Sequence, residues 1–262
     1  TGALQVEVTG SNDTPVLDVA ASPAMTQAED AGLPIGDVGT QVSTLVNAPG
    51  GSVGNVSDVD GKTSAPGMSI TAFDTSHGVW YYHWDGYNAP DGRPYWFNAN
   101  LAPGQVLNLR SQDQLYFAPN AGYVGTVDQA ITFRAWDGVA SPRGKISAPG
   151  TVGGGTAYSA DTDTVSLTIE NLNDAPVLVT NIADAAVFSN IVVDIDVSGS
   201  FADIDPGDVL SFSATLNGGA PLPAWLSIDE VTGRLTGTPP SVGVAGETLD
   251  VIVTATDSGG LS

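Results

Sequence analysis

Cysteine is absent from the 262-residue chain, which removes thiol nucleophiles, zinc–thiolate sites, iron–sulfur clusters and disulfide staples. Histidine occurs only as His77 and His83, so imidazole-based metal binding and acid–base chemistry have little to draw on. Basic residues are scarce too: 7 Lys and Arg stand against 29 Asp and Glu, a formal net charge of -22. Nucleic acid and anionic membrane surfaces need a face of the opposite sign, so neither is an expected partner. Lysine and glutamate, which furnish most helix surfaces, number two and five. No apolar run reaches the ~18 residues of a membrane span, and no charged-then-apolar leader opens the sequence. An export signal is therefore expected outside it.

Glycine and proline are plentiful instead, at 32 and 17 residues, and they punctuate the whole chain. Few helix formers and many turn formers indicate an all-β protein. The hydrophobic fraction of 42% against a charged fraction of 14% distinguishes it from an acidic disordered tail. Its length suffices for one large β domain or two of ordinary size.

Residues 3–9 alternate, with Leu4, Val6 and Val8 on one side and Gln5, Glu7 and Thr9 on the other, the pattern of a strand with one buried face. The strand ends in Asn12-Asp13-Thr14-Pro15-Val16-Leu17. About 160 residues later the unit returns: Val165, Leu167 and Ile169 alternate ahead of Asn173-Asp174-Ala175-Pro176-Val177-Leu178. Two copies of one junction predict residues 1–13 as the last strand of a preceding repeat plus a linker, one domain over 14–172 and a second over 173–262. Strands are expected near 68–74, 78–84, 94–98, 106–109, 114–118, 130–136 and 164–170, with a long surface loop at 139–163. The second domain offers strands at 191–199, 208–216, 225–229, 233–237 and 247–256, which is a sandwich pattern lacking its final strand. Two explanations stand for the orphan strand 3–9 and the missing last one. Either the fragment was cut out of phase with its repeats, or one molecule's 3–9 strand completes the second domain of the next, head to tail.

The acidic residues cluster. The first domain carries Asp58-Val59-Asp60-Gly61 and Trp136-Asp137-Gly138; the second carries Asp203-Ile204-Asp205-Pro206-Gly207-Asp208 and Thr256-Asp257-Ser258-Gly259. Each domain thus has an Asn-Asp junction, an Asp-x-Asp pair early and a single Asp late. Single Asp–Gly turns are usually solvated. A repeated three-part constellation is different: neighbouring carboxylates repel by roughly 1 kcal/mol per pair near a surface, and seven basic residues cannot neutralise them. Calcium, which takes six to eight hard oxygens, can.

The second domain resembles the dystroglycan-type cadherin-like modules of bacterial surface proteins, through Phe201-x-Asp203-x-Asp205-x-Gly207-Asp208, Leu222-Pro223-x-Trp225-Leu226, Gly233-x-Leu235-x-Gly237-Thr238-Pro239 and Val253-x-Ala255-x-Asp257. The first resembles another cadherin-like repeat of giant secreted RTX-type bacterial adhesins, through Asp58-Val59-Asp60-Gly61, Gly78-x-Trp80-x-Tyr82, Phe117-x-Pro119-Asn120 and Phe133-Arg134-Ala135-Trp136-Asp137. The resemblance implies two tandem Ig-like/cadherin-like β-sandwich domains in an elongated arrangement, with Ca2+ between successive domains. The implied ligands are Asn173, Asp174, Asp203, Asp205 and Asp257 for the second domain, with Asp208 as an extra. Those of the first are Asn12, Asp13, Asp58, Asp60 and Asp137, and Glu29 would be contributed from the first domain's body to the junction below it. The Asp-Arg-Glu triplet of true cadherins is absent, which leaves the number of ions per junction open. So is the glycine-rich calcium-binding nonapeptide of secreted toxins. The implied function is a calcium-rigidified extender of an extracellular bacterial cell-surface adhesin, supporting cell adhesion or biofilm formation, with neighbouring repeats as partners.

Eight of the nineteen aromatics fall within 80–97. Alternation puts Trp80, Tyr82 and Trp84 on one strand face, which core packing explains. A glycan or peptide platform would draw on Tyr81, Trp84, Tyr87 and Tyr95. Trp136 and Trp225 sit in apolar strand patterns and are expected in the core. No nucleophile-elbow motif accompanies either histidine, Gly153-Gly154-Gly155 lacks the strand-to-helix context of a phosphate loop, and the paired carboxylates sit in junction turns. No enzymatic activity is expected.

Overall fold

The computed structural model describes residues 4–7, 9–21, 23–46, 55–60, 67–138, 143–241 and 247–262. Turn formers and alternating segments yield an all-β chain whose only helical turns among those residues are two 3-10 turns, Val42–Thr44 and Ser198–Ser200. The chain divides into two compact units, Thr1–Asn171 and Leu172–Ser262.

The first unit contains β1 (Val16–Leu17), β2 (Ala24–Ala28), β3 (Thr40–Gln41), β4 (Val56–Ser57), β5 (Gly67–Phe73), β6 (Gly78–His83), β7 (Phe97–Asn98), β8 (Val106–Leu109), β9 (Gln114–Pro119), β10 (Gly125–Trp136), β11 (Ile146–Ser147) and β12 (Asp163–Glu170). They build a six-stranded sheet in the order β11-β8-β5-β10-β12-β2, a four-stranded sheet in the order β3-β9-β6-β7, and the pair β1-β4. β12 is antiparallel to β10, with Ile131 opposite Val165, and parallel to β2, with Leu167 opposite Met25. Inward residues of both large sheets join one core: Met68, Ile70, Ile131, Phe133, Val165 and Leu167 from the first meet Trp80, Leu115 and Phe117 from the second. The Trp80 and Phe117 rings lie 4.8 Å apart. Each such buried side chain contributes about 1.5–3 kcal/mol, and the alternation that sets it inward is the one visible in the sequence.

The second unit contains β13 (Val177–Leu178), β14 (Val193–Asp196), β15 (Phe201–Ala202), β16 (Ser211–Leu216), β17 (Leu226–Ile228), β18 (Arg234–Gly237) and β19 (Val251–Thr256). They pair as β13-β15, β14-β18-β17 and β16-β19. Among the described residues its buried apolar set is small: Val193, Val197, Phe212, Leu235 and Ala255. Trp225 is half-buried rather than enclosed. Gly237 is required where β18 crosses it, because a Cβ there would lie 1.9 Å from the Trp225 carbonyl oxygen.

Residues 4–7 pair with no described strand, and Leu4 and Val6 are 87% and 74% exposed. Two expectations need correction. The 139–163 loop is not featureless: Ile146–Ser147 pairs with β8, and Tyr158 bridges Trp136. Residues 139–142 lie outside the described set. The short strands β1, β2, β3, β4, β13 and β15 were not foreseen, since two-residue pairings and the Ala-Met-Thr-Gln-Ala of β2 carry no apolar alternation.

Candidate metal centres

In the second unit three sequence-distant segments meet at one end. The Asn173 side-chain amide donates to Asp257 Oδ2 at 2.8 Å and to the Asp174 carbonyl at 3.5 Å. The Asp174 backbone amide donates to Asp205 Oδ2 at 2.7 Å, and the Asp205 amide donates to Asp203 Oδ1 at 2.9 Å. Asp208 accepts from the Ser258 hydroxyl. The chain reaches this arrangement because β15 ends at Ala202 and releases the Asp203–Asp208 turn, while β19 ends at Thr256 and releases Asp257. Gly259 packs flat on the Asn173 amide, where a Cβ would come within 2.1 Å of Oδ1. Asp257 is buried, which pushes its carboxyl up. Hydrogen bonds from the Leu261 amide, Asn173 and the Gly260 and Gly259 amides outweigh that effect and hold it below the usual carboxylate range.

The first unit repeats the network bond for bond. Asn12 donates to Asp137 Oδ2 at 2.9 Å and to the Asp13 carbonyl at 3.0 Å. The Asp13 amide donates to Asp60 Oδ2 at 2.8 Å, and the Asp60 amide donates to Asp58 Oδ1 at 3.0 Å. Asp137 is buried and its amide is held by the Ala157 carbonyl. Thr14 adds a clamp unique to this unit: its hydroxyl accepts from the Gly155 and Thr156 amides at 2.9 and 3.0 Å and donates to the Thr156 carbonyl. Thr14, Thr156, Ser258 and Gly259 were not singled out in the sequence. Only their nearness to the Asn-Asp junctions and the late aspartates could have flagged them, since no spacing rule marks a hydroxyl or glycine contact.

The second centre fits a divalent cation on its own geometry. Asp203, Asp205 and Asp208 each present an oxygen, and the three lie within 4.8 Å of one another. Two oxygens on opposite sides of one calcium are separated by twice the Ca–O distance, about 4.6–5.2 Å, so a single ion reaches all three. The Asp203 Oδ2 and Asp208 Oδ2 atoms are buried with no hydrogen-bond partner among the described residues, a costly state for a carboxylate oxygen unless a cation takes the lone pairs. No basic side chain is to hand. Residues 172–262 hold twelve Asp and Glu against one basic residue, Arg234, and Arg234 is engaged by Asp194 at 2.7 Å and Asp196 at 3.4 Å. The donor set is all oxygen, which selects hard cations over transition metals.

Glu29 lies at the end of the first unit where its chain leaves, as expected. It is 2% exposed and follows β2, its amide donating to the Glu170 carbonyl at 3.1 Å. Because β10 and β12 run antiparallel, that is the end of the sheet away from Asp137 and next to the residue where the first unit's chain leaves. Of the aromatic candidates, Tyr81 is half-buried in β6. Trp84 stacks on Tyr87 at 5.0 Å, with Arg143 6.0 Å from its ring and Gly144 packed against its face. Tyr87 and Tyr95 are 43% and 46% exposed and meet edge to face at 5.8 Å. Trp136 is fully buried.

Residues 175–262 match the He_PIG family, described as "Putative Ig domain", so the recognisable family signal lies within the second unit. No curated protein matches the chain by sequence. Among solved structures, the crystal structure of human CDH23 EC21-23 is 11% identical with a TM-score of 0.40, covering 94% of this chain and 68% of that one. The crystal structure of human mucin-like protocadherin EC1-2 is 11% identical with a TM-score of 0.34, covering 93% of this chain and 96% of that one. The chain is an all-β protein whose second unit is similar to an Ig-domain family.

Proposed function

We propose that this chain is a calcium-rigidified, adhesion-type extracellular module, an extender segment of a bacterial cell-surface adhesin that supports cell adhesion or biofilm formation. One observation carries it: two units of different size and sequence build the same Asn–Asp–Asp–Asp hydrogen-bond cradle, and in the second the cradle leaves buried carboxylate oxygens without partners. Solvated turns have no reason to repeat a four-bond network. An ion at each cradle ties the segment that enters the unit to two turns at its end, so that segment loses its freedom to hinge. Asn12 and Asn173 pre-orient the late aspartate, the Asp13 and Asp174 amides pre-orient the second aspartate of each pair, and the ion supplies the positive charge that the sequence lacks. No helix among the described residues is long and apolar enough to cross a membrane.

Calorimetry in chelator and in calcium tests this. Extracellular modules of this kind bind at about 0.1–1 mM, and an ion at 100 times its dissociation constant adds ~2.7 kcal/mol per site. Two separately rising transitions, one per unit, are expected. Identical thermograms in the two conditions would refute calcium binding.

A further inference from the structure

The inward row of β12 opens on a charge. Burial alternates along the strand, so Asp163 shares its face with Val165, Leu167 and Ile169, which enter the first unit's core. Asp163 is 9% exposed. Its Oδ1 accepts from the Thr164 amide at 2.7 Å, while its Oδ2 is buried with no hydrogen-bond partner among the described residues. An ionised carboxylate held this way carries a desolvation cost that a neutral carboxyl largely escapes.

Among the described residues no cation faces it. Its ladder partner on β10 is Phe133, and the next residue, Arg134, points to the other face, where its guanidinium donates to the Ser159 and Asp161 carbonyls at 3.1 and 3.3 Å. Strand β2, which joins β12 from Ser166 onward, carries no charged residue. Asp161, ahead of it in the chain, is exposed. The remaining neighbour is the connection from β1 to β2, residues 18–23, which arrives beside the start of β12: the Ser166 amide donates to the Pro23 carbonyl at 3.0 Å. That connection brings Asp18, whose charge acts on Asp163. Burial pushes the Asp163 carboxyl above the ordinary 3.8; the Thr164 amide draws it back in part, and the Asp18 charge adds to the rise.

We propose that Asp163 is a proton-operated latch: neutral, it lets the 18–23 connection close over the start of β12, and ionised, it draws water to Oδ2 by lifting that connection off the sheet. Water enters from this side because Phe133 and the core close the other. A proton is therefore taken up as the latch closes. A carboxyl whose folded-state pKa is raised adds stability that is complete below the unfolded value and is lost as pH rises through the folded one, so the latch tightens toward acid. Asp74 has the opposite sign. The Ser76 hydroxyl and amide hold it low, and its contribution is lost only as pH falls below 3.8. The latch owes nothing to the calcium cradles, whose bonds do not include Asp163.

Hydrogen exchange of the 262-residue chain, resolved by amide between about pH 4 and 8 with the intrinsic pH dependence divided out, tests the latch in chelator and again in calcium. The reporters are the Asp18 amide, which donates to the Asn55 carbonyl at 2.7 Å, and the Ser166 amide. Their protection is expected to fall roughly tenfold across that range, the scale set by a buried polar group without a partner, while the β10 amides keep theirs. Asp163→Asn, neutral at every pH and still able to accept from the Thr164 amide, should hold protection high and flat. Asp18→Asn should move the fall to lower pH without abolishing it. Protection independent of pH in the parent, a fall that survives Asp163→Asn, or a profile that Asp18→Asn leaves in place would each overturn the latch.

Discussion

Replacing Asp208 by Asn separates a calcium ligand from a solvated turn residue, because the two roles predict opposite behaviour without the ion. Asp208 shares a space within 4.8 Å of Asp203 and Asp205 oxygens. At that distance two like charges repel by about 0.9 kcal/mol in water and more as the effective dielectric falls. Neutralising Asp208 removes two of the three repulsive pairs, about 2 kcal/mol at the aqueous limit. The asparagine keeps an oxygen for the Ser258 hydroxyl and turns the partnerless Oδ2 into a donor beside two carboxylates. In chelator the second unit should therefore become more stable, and for a unit of this size each kcal/mol raises the melting temperature by roughly 4–8 °C.

Calcium reverses the advantage. If loss of one carboxylate weakens the site 100-fold, an ion concentration that gave the parent ~2.7 kcal/mol gives the variant only RT ln 2, about 0.4 kcal/mol. Differential scanning calorimetry, with the two units' transitions resolved, reads both effects: a higher baseline in chelator and a nearly flat calcium response. The first unit's transition serves as an internal control and should keep its full response. A variant that melts lower in chelator yet keeps the parent's calcium shift would refute the ion-site argument, since Asp208 would then be an ordinary turn residue.

Gly259→Ala should displace the Asn173 amide that it now packs against, losing the bond to Asp257 at about 1 kcal/mol and lowering calcium affinity measured by titration calorimetry. Gly237→Ala meets the Trp225 carbonyl at 1.9 Å, so β17 and β18 must part; a loss of about 1–3 kcal/mol confined to the second unit's transition is expected. Asp113 is fully buried and accepts from the Arg110 and Asp85 amides and from the Arg143 guanidinium, which raises the Arg143 pKa. Asp113→Ala should destabilise the first unit by about 3–5 kcal/mol by stranding that charge, read by urea denaturation without change in the second. The folded-state pKa of Asp257 is depressed, so its contribution is present above the ordinary carboxylate value of 3.8 and is lost as pH falls through and below it. Melting temperature of the second unit against pH should show a steeper acid loss in the parent than in Asp257→Asn, which keeps the depressed carboxylates Asp196 and Asp229.

Strand alternation made much of the fold legible, because a buried face every second residue is what the six-stranded sheet of the first unit requires. Val165, Leu167 and Ile169 read as a strand and are one. At Leu4 and Val6 the same pattern meets no described strand, because alternation records which face a segment buries once paired and does not itself supply the partner. The acidic constellation was legible through repetition, Asn-Asp followed at a distance by Asp-x-Asp and a late Asp, in both units. What the sequence could not carry was the backbone's share. In each cradle the Asp13 or Asp174 amide fixes one carboxylate and the Asp60 or Asp205 amide fixes the next, and an amide has no residue identity to read. Those amides also explain how four or five carboxylates tolerate one another before any ion arrives. Each amide holds one oxygen of a carboxylate in place, leaving its other lone pairs to be shared, so the apo cradle is pre-organised at the expense of unrelieved charge. The free energy that calcium adds is then the removal of that repulsion, and it should shrink in high salt far less than a surface ion pair would, because buried carboxylates are screened little.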